Sequence, residues 1–143
     1  LNDNFIKDVV CFSILEKQLK AILDVLDNKR LSEIVKKPWG AYYDLAEEKD
    51  RWHLKIIEVK KGQRLSLQKH KLRSVFWVVA EGEAKVQKGD SILNLKTGDA
   101  VSFEKEEAHR LEGITDTTII ETSFGEHDEN DITRLGDDYG RTK

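Results

Sequence analysis

The sequence predicts an all-β fold, a jelly-roll β-barrel preceded by one amphipathic helix. From Trp52 onward the chain reads as short runs of β-type residues, turn sequences with Gly or Asp separate these runs, and no helical pattern interrupts them. A chain of 143 residues can bury the core of one domain without disulfides or a structural metal. We therefore expect a helical extension over residues 1–36 and a barrel domain over residues 37–143.

The predicted helix covers residues 13–28, SILEKQLKAILDVLDN. Ser13 followed three residues later by Glu16 forms a capping box, and the single proline, Pro38, marks the break between the helical part and the barrel. Apolar residues recur at helical spacing and form one stripe along an otherwise charged surface, namely Leu15, Leu19, Ile22, Leu23 and Leu26. Exposure of this apolar stripe to water is unfavourable, so we expect it to pack on the barrel or on a second copy of the chain in a homodimer.

Seven runs predict the strands of the barrel. Each is short, rich in β-branched or aromatic residues, and bounded by a turn signal such as KKGQ, EGE, KGD or KTGD. The tail from residue 125 to residue 143 is polar, and its composition predicts an extension that lies along the surface. The predicted strands are residues 52–60, 64–70, 74–80, 83–89, 91–96, 100–105 and 117–124.

The charge pattern and the cysteine content limit which binding partners and which cellular compartment are expected. The 24 Lys and Arg residues and 27 Asp and Glu residues are mixed along the chain, with a net charge of -3, which argues against nucleic acid or an anionic membrane as the partner. Cys11 has no second cysteine to pair with, which favours a reducing compartment, and we expect a cytoplasmic location. No apolar run approaches the roughly 20 residues of a membrane-spanning helix. The expected partner is a small molecule.

Two polar residues in the second predicted strand are candidates for metal binding. Gln68 and His70 are two residues apart, so on a strand their side chains point to the same face. A buried histidine is as readily a hydrogen-bonded structural residue as a ligand, so the metal interpretation depends on further ligands. His53 and His127 lack any supporting pattern and are predicted to lie on the surface, while Trp39 is expected to help close the rim of the barrel.

Two levels of resemblance extend this interpretation. The spacing of Gly62, Gln68, His70 and Gly82, followed by Gly98 and His109, resembles the two motifs of the cupin superfamily over residues 37–143. Four segments, KPWGAYYDL, GQRLSLQKH, HRLEG and DITRLGDDYGR, resemble type II mannose-6-phosphate isomerases. In that family the cupin is usually the C-terminal half of a bifunctional enzyme that also carries mannose-1-phosphate guanylyltransferase activity. The chain is therefore expected to be either a free-standing cupin or a part of such an enzyme.

The resemblance implies a divalent metal, Zn or Mn, held by Gln68, His70 and His109. The family motif places a glutamate where this chain has Val75, so the ligand set is neutral and the metal is expected to bind weakly or not at all. The motif also places histidines at the positions of Leu72 and Phe76. Replacement of the missing carboxylate by a loop glutamate is the less favoured alternative, and its candidates are Glu104, Glu106 and Glu107.

The resemblance also implies a substrate and two hypotheses. The substrate is a sugar phosphate: mannose 6-phosphate would be interconverted with fructose 6-phosphate for GDP-mannose and polysaccharide biosynthesis. Arg73 and Lys71 are expected to bind the phosphate. Glu121 is expected to transfer the proton, with Arg73 as a second member of the catalytic set. Phe76 stands where the family motif has a histidine, so one acid–base group is expected to be missing. One hypothesis is an isomerase with an incomplete metal site. The other is a metal-free, catalytically inactive cupin that binds a sugar phosphate or assists a separate guanylyltransferase.

Overall fold

The computed structural model describes residues 16–20 and 33–141, in which eleven strands form two antiparallel sheets. The six-stranded sheet has the order β1-β2-β3-β10-β5-β8, and the five-stranded sheet has the order β11-β4-β9-β6-β7. The sheets enclose the core of a jelly-roll barrel, which confirms the predicted fold class. The strands are β1 Val35–Lys37, β2 Gly40–Glu48, β3 Trp52–Val59, β4 Leu67–His70, β5 Arg73–Glu81, β6 Glu83–Lys88, β7 Ser91–Lys96, β8 Ala100–Phe103, β9 His109–Gly113, β10 Thr117–Gly125 and β11 Ile132–Gly136.

The barrel core is built from side chains that alternate along the strands. In β5, Val75, Trp77 and Val79 are buried, whereas Phe76 is 38% exposed on the opposite face. Trp77 contacts Phe103 of β8 edge to face, with ring centroids 4.7 Å apart. These side chains join Val86 and Leu111 of the five-stranded sheet in one buried cluster. Burying each large apolar side chain contributes about 1.5–3 kcal/mol, so this cluster holds the two sheets together.

All seven predicted runs contain strands, but four further strands were not predicted. The prediction of a surface-lying tail is wrong for its central part, because β11 pairs with β4 in the five-stranded sheet and Tyr139 packs against the core. A polar edge strand such as ITRLG does not show the apolar alternation by which a strand is predicted. The unpredicted strands are β1, β2, β9 and β11.

Residues 16–20 are helical and lie within the predicted helix, the rest of which lies outside the described residues. Lys17 Nζ lies 3.0 Å from Glu48 Oε2 of β2. Leu19 is 58% exposed while Gln18 is buried, so the predicted apolar stripe is not the buried face in these five residues. The predicted domain boundary between residues 36 and 37 falls inside β1. In the ranges 16–20 and 33–141, the structure contains no helix that is long and apolar enough to cross a membrane.

The turn between β5 and β6 requires glycine at position 82. Gly82 has φ +88°, and a Cβ atom there would lie 2.2 Å from the Asp116 carbonyl oxygen. Gly98 has a similar φ of +92°, but a Cβ atom there would meet nothing within 4 Å. The two glycines share the backbone requirement and differ in the available space.

We expect Gly82→Ala to lower the free energy of unfolding by more than Gly98→Ala does. Both variants place a side chain at positive φ, at a cost of about 1 kcal/mol, and Gly82→Ala adds a steric clash of about 1–3 kcal/mol. Urea unfolding of the two variants beside the wild type measures the difference. Equal losses in the two variants would contradict the close approach at Gly82.

Candidate functional site

A cavity of about 90 Å³ lies inside the barrel, at the end where the tail crosses it. Pockets that enclose small ligands usually exceed about 300 Å³, whereas one water occupies roughly 30 Å³. A hexose phosphate would therefore insert only in part and lie across the mouth. The polar lining comes from both sheets and from the tail, and includes Lys55, Gln68, His70, Arg73, Glu121, Arg134 and Arg141.

Glu121 lies on the inner face of the six-stranded sheet. It pairs with Lys55 of β3 on one side and with Trp77 of β5 on the other, so the three side chains form a row across the sheet. The Trp77 indole Nε1–H donates to Glu121 Oε2 over 2.7 Å, and the carboxylate is 9% exposed. The predicted acid–base residue thus faces the cavity, with one oxygen held by an indole.

Gln68 and His70 both face the cavity from β4, as their spacing predicted. Ser66 Oγ–H donates to Gln68 Oε1 over 2.7 Å, and Gln68 Nε2 lies 3.5 Å from His70 Nε2. Burial, first, and the positive charge of Arg73, second, lower the pKa of His70 to about 3. The His70 ring is therefore neutral at pH 7.

His109 lies behind the cavity wall, next to these two residues. It pairs with Gln68 across β9 and β4, and its ring centroid is 5.2 Å from that of His70. His109 Nδ1–H donates to the Glu107 carbonyl oxygen over 2.9 Å, which leaves the buried Nε2 unprotonated and without a hydrogen-bond partner among the described residues. Burial also lowers the pKa of His109. The three predicted metal residues are therefore brought together.

The donor set of this site does not fit a tightly bound divalent metal. Val75 is 2% exposed on the inner face and supplies an alkyl group where the resemblance implies a carboxylate. Within residues 16–20 and 33–141, no three His, Cys, Asp or Glu side chains are placed to hold a metal ion. Two neutral imidazoles and an amide remain, and the neighbouring Lys55 and Arg73 carry positive charge. A divalent cation would meet repulsion there, and the one carboxylate of the lining, Glu121, already accepts a hydrogen bond from Trp77.

The loop glutamates do not replace the missing carboxylate. Glu106 pairs with Lys69 over 2.6 Å, and both lie outside the cavity lining. The Glu107 carboxylate accepts the backbone N–H of Glu104 over 2.9 Å and lies 3.8 Å from Lys88. These two carboxylates are engaged at the surface of their own loop, and Glu104 is exposed and outside the cavity lining.

Arg73 lines the cavity but is already engaged on one side. Its Nη1–H donates to the Asp128 carbonyl oxygen over 2.8 Å and lies 3.7 Å from Asp131 Oδ2. The predicted phosphate-binding residue therefore has a structural partner. Lys71, predicted to act with it, is exposed on the β4–β5 turn and outside the lining, so the structure does not bring its side chain into the cavity.

Two other predicted positions differ from expectation. Phe76 lies on the outer face of the six-stranded sheet, so the apolar residue at this position does not remove an acid–base group from the cavity. His53 was predicted to lie on the surface but is 4% exposed; it stacks on His127 with centroids 3.8 Å apart, and its Nε2 lies 3.1 Å from Asp44 Oδ1. Trp39 is buried and lines the cavity, as expected for a residue that closes the rim.

Four cationic cavity residues were not predicted, namely Lys37, Lys55, Arg134 and Arg141. Lys55 could have been found, because it shares the inner face of β3 with Ile57 and Val59 at a spacing of two residues. Arg134 and Arg141 lie in the segment DITRLGDDYGR, but their local sequence does not show which surface the tail covers. Their placement depends on the pairing of β11 with β4.

The two-sheet barrel with Gln68, His70 and His109 at its interior defines a protein of the cupin class. The fold is similar to that of the capsular polysaccharide assembling protein CapF from Staphylococcus aureus, with a TM-score of 0.64 and 18% identity over 75% of this chain and 32% of CapF. Residues 26–137 match the family described as Mannose-6-phosphate isomerase C-terminal, and the chain belongs to this family.

The curated relatives that the chain matches are longer than this chain. The Xanthan biosynthesis protein XanB from Xanthomonas campestris is 40% identical over 111 residues, which is 76% of this chain and 24% of XanB. The Mannose-1-phosphate guanylyltransferase from Escherichia coli K12 is 36% identical over 128 residues, which is 87% of this chain and 26% of that protein. The chain thus spans about a quarter of the length of these relatives.

We expect the His70 ring to remain neutral at pH 5, in contrast to an unperturbed histidine. The unfolded chain binds a proton on this residue below pH 6.5, whereas the folded chain binds it only near pH 3. The contribution of His70 to the free energy of unfolding is therefore fully present above pH 6.5. It is lost as the pH falls toward 3, because the unfolded chain gains the proton first.

NMR titration of the imidazole resonances measures the protonation of His70 directly. In parallel, His70→Gln should reduce the loss of unfolding free energy between pH 7 and pH 4, because the substituted residue takes up no proton in either state. Protonation of His70 near pH 6.5 would contradict the burial and the positive surroundings described here.

Proposed function

We propose that this domain binds a hexose phosphate in the cupin cavity without converting it, in the biosynthesis of polysaccharide precursors. The observation that carries the proposal is the charge of the lining, in which a single carboxylate among the described residues, Glu121, faces five cationic side chains. Membership in the mannose-6-phosphate isomerase family and the similarity to XanB support a phosphorylated sugar as the ligand. The five cationic side chains are those of Lys37, Lys55, Arg73, Arg134 and Arg141.

The positive charge of the lining favours an anionic ligand. Aspartates outside the lining offset the charges of Lys55, Arg73 and Arg141, and Lys37 and Arg134 outnumber the one lining carboxylate, Glu121. His70 and His109 add no positive charge at neutral pH, because burial lowers the pKa of both rings. A phosphate monoester carries about -1.5 to -2 charges at pH 7, and guanidinium groups bind its oxygens in a fixed geometry. A cavity that repels a cation can therefore hold the phosphate of a sugar whose ring lies across the mouth.

The same cavity lacks part of what isomerisation requires. Aldose–ketose interconversion moves a proton between two adjacent carbons, so it needs a base and a group that stabilises negative charge on the sugar oxygen. A divalent metal would supply that stabilisation most directly, but the donor set does not fit one, so only the cationic side chains of the lining are left to supply it. Glu121 alone remains as a carboxylate base, and Trp77 occupies one of its oxygens.

A second candidate function is the isomerase itself, and one observation favours it. Glu121 is close enough to His109 to raise the pKa of that ring, opposing the larger effect of burial, and the unprotonated Nε2 of His109 is buried without a partner among the described residues. A carboxylate and a neutral imidazole in one interior could share proton transfer. The family of the chain agrees with this activity.

Metal analysis of the purified chain, prepared without chelator, distinguishes the two functions. We expect much less than one Zn²⁺ or Mn²⁺ per chain, binding of mannose 6-phosphate, and no formation of fructose 6-phosphate after either ion is added. Near-stoichiometric metal, with turnover that His70→Ala abolishes, would instead identify a working isomerase.

The variant Val75→Glu tests the reason for weak metal binding. It places a carboxylate at the buried inner-face position where the family motif has a glutamate, so we expect the metal content to rise toward one ion per chain. Val75→Gln is the matched control, because it adds a polar side chain of similar size without charge. Equal metal contents in the two variants would contradict the role given to the missing carboxylate.

A further inference from the structure

We propose that Arg134, in the tail strand β11, is the residue that binds the phosphate group in the cavity, and that it does so without a metal. This inference rests on the proposed function, because it assumes that the cavity receives a phosphorylated ligand. It assigns phosphate binding to a different residue from Arg73, which the sequence favoured.

The register of β11 directs Arg134 toward the cavity. Arg134 pairs directly with Gln68 of β4, and Gln68 pairs with His109 of β9, so the three residues form one row across the five-stranded sheet. Directly paired residues share a face of a sheet, and Gln68 faces the interior. Arg134 is therefore beside the polar cluster, and it is a lining residue of the cavity.

Arg134 also carries an unused donor. Its Nε atom is buried and has no hydrogen-bond partner among the described residues. Leaving such a buried donor unpaired costs about 1–3 kcal/mol, which an acceptor oxygen would remove. A phosphate oxygen that reaches this donor would form a charge-assisted hydrogen bond, and a second guanidinium N–H can reach a second oxygen.

The other cations of the cavity already have anionic or aromatic neighbours. Lys37 Nζ lies 5.6 Å from the centroid of the Tyr42 ring. Arg73 also has a buried Nε without a hydrogen-bond partner among the described residues, but its Nη1–H donates to the Asp128 carbonyl oxygen and lies 3.7 Å from Asp131. Arg141 donates from Nε to Asp137 Oδ1 over 3.0 Å, and a second guanidinium N–H contacts the same carboxylate. Asp131 and Asp137 lie outside the cavity lining, so each contacts its arginine on the side that faces away from the cavity.

Lys55 is placed to assist from the opposite sheet. Its Nζ lies 3.6 Å from Asp44 Oδ1 and 4.4 Å from the centroid of the Tyr42 ring, and it lines the cavity beside Glu121. It adds positive potential, but its ammonium group offers a point charge and not a planar fork. The guanidinium of Arg134 is thus the group that matches the oxygens of a phosphate.

Isothermal titration calorimetry in EDTA tests the assignment with mannose 6-phosphate, inorganic phosphate and mannose as separate probes. We expect the wild type to bind both phosphate-containing probes more tightly than mannose. Arg134→Gln should weaken mannose 6-phosphate roughly 10- to 100-fold, as expected for a lost charge-assisted hydrogen bond. Arg134→Lys should recover part of the loss, because it keeps the charge without the fork.

The matched control is Arg51→Gln, which removes the same charge from an exposed turn outside the cavity lining. It should change the affinity less than about 2-fold, since an exposed charge contributes little. Thermal unfolding of each variant checks the fold. A purely structural role of Arg134 would weaken mannose and mannose 6-phosphate equally, so the ratio of the two affinities is the deciding quantity.

The outcomes separate this inference from the proposed function. Unchanged affinity of Arg134→Gln for mannose 6-phosphate, with tight binding by the wild type, would overturn the assignment and leave the proposed function standing. Binding of inorganic phosphate that depends on Arg134, without binding of mannose 6-phosphate, would support the anion site and overturn the hexose ligand. Failure of the wild type to bind either phosphate-containing probe would overturn both.

Discussion

The buried carboxylate of Asp131 is the constraint on which the arrangement of the cavity depends. It accepts the backbone N–H groups of Lys71 and Leu72 over 3.0 Å each, and it lies 3.7 Å from the guanidinium of Arg73. The side chains of Asp131 and Arg73 are each 4% exposed. Loss of one partner from such a buried pair typically costs about 3–5 kcal/mol, because the other charge remains without compensation. This carboxylate therefore fixes the tail to the β4–β5 turn.

The position of Arg134 follows from that anchor. Strand β11 begins one residue after Asp131, and its first residue, Ile132, pairs with His70. The antiparallel register then brings Arg134 opposite Gln68. Beyond the strand, Asp137 holds Arg141: burial would raise the pKa of this carboxyl, but the hydrogen bonds from Arg141 outweigh it and lower the pKa to about 2. Two cationic lining residues, Arg134 and Arg141, are thus positioned by aspartates that do not line the cavity.

The sequence predicts those parts of the fold and site in which the information is local. The alternation of apolar residues predicted the central strands, and the spacing of Gln68 and His70 correctly predicted that both face one side. The positions of Arg134 and His53 could not be predicted in the same way. Arg134 depends on pairing between segments far apart in sequence, and His53 is a polar residue buried by a ring stack with His127. Neither contact leaves a periodic pattern in the chain.

Positions 75 and 76 are adjacent in sequence, but the pleat of the strand directs their side chains to opposite faces of the sheet. A substitution at one of them therefore affects the barrel interior, and a substitution at the other does not. Both differ from the family motif, but only Val75 faces the interior, while Phe76 points away from it. An interior glutamate would offset the charge of a divalent cation, whereas valine adds no charge to the interior. Since electrostatic interactions are stronger in a low-dielectric interior, the loss of one carboxylate there has a large effect on the binding of a cation. The charge balance of the lining, more than the number of potential metal ligands retained, is therefore the better guide to what this barrel binds.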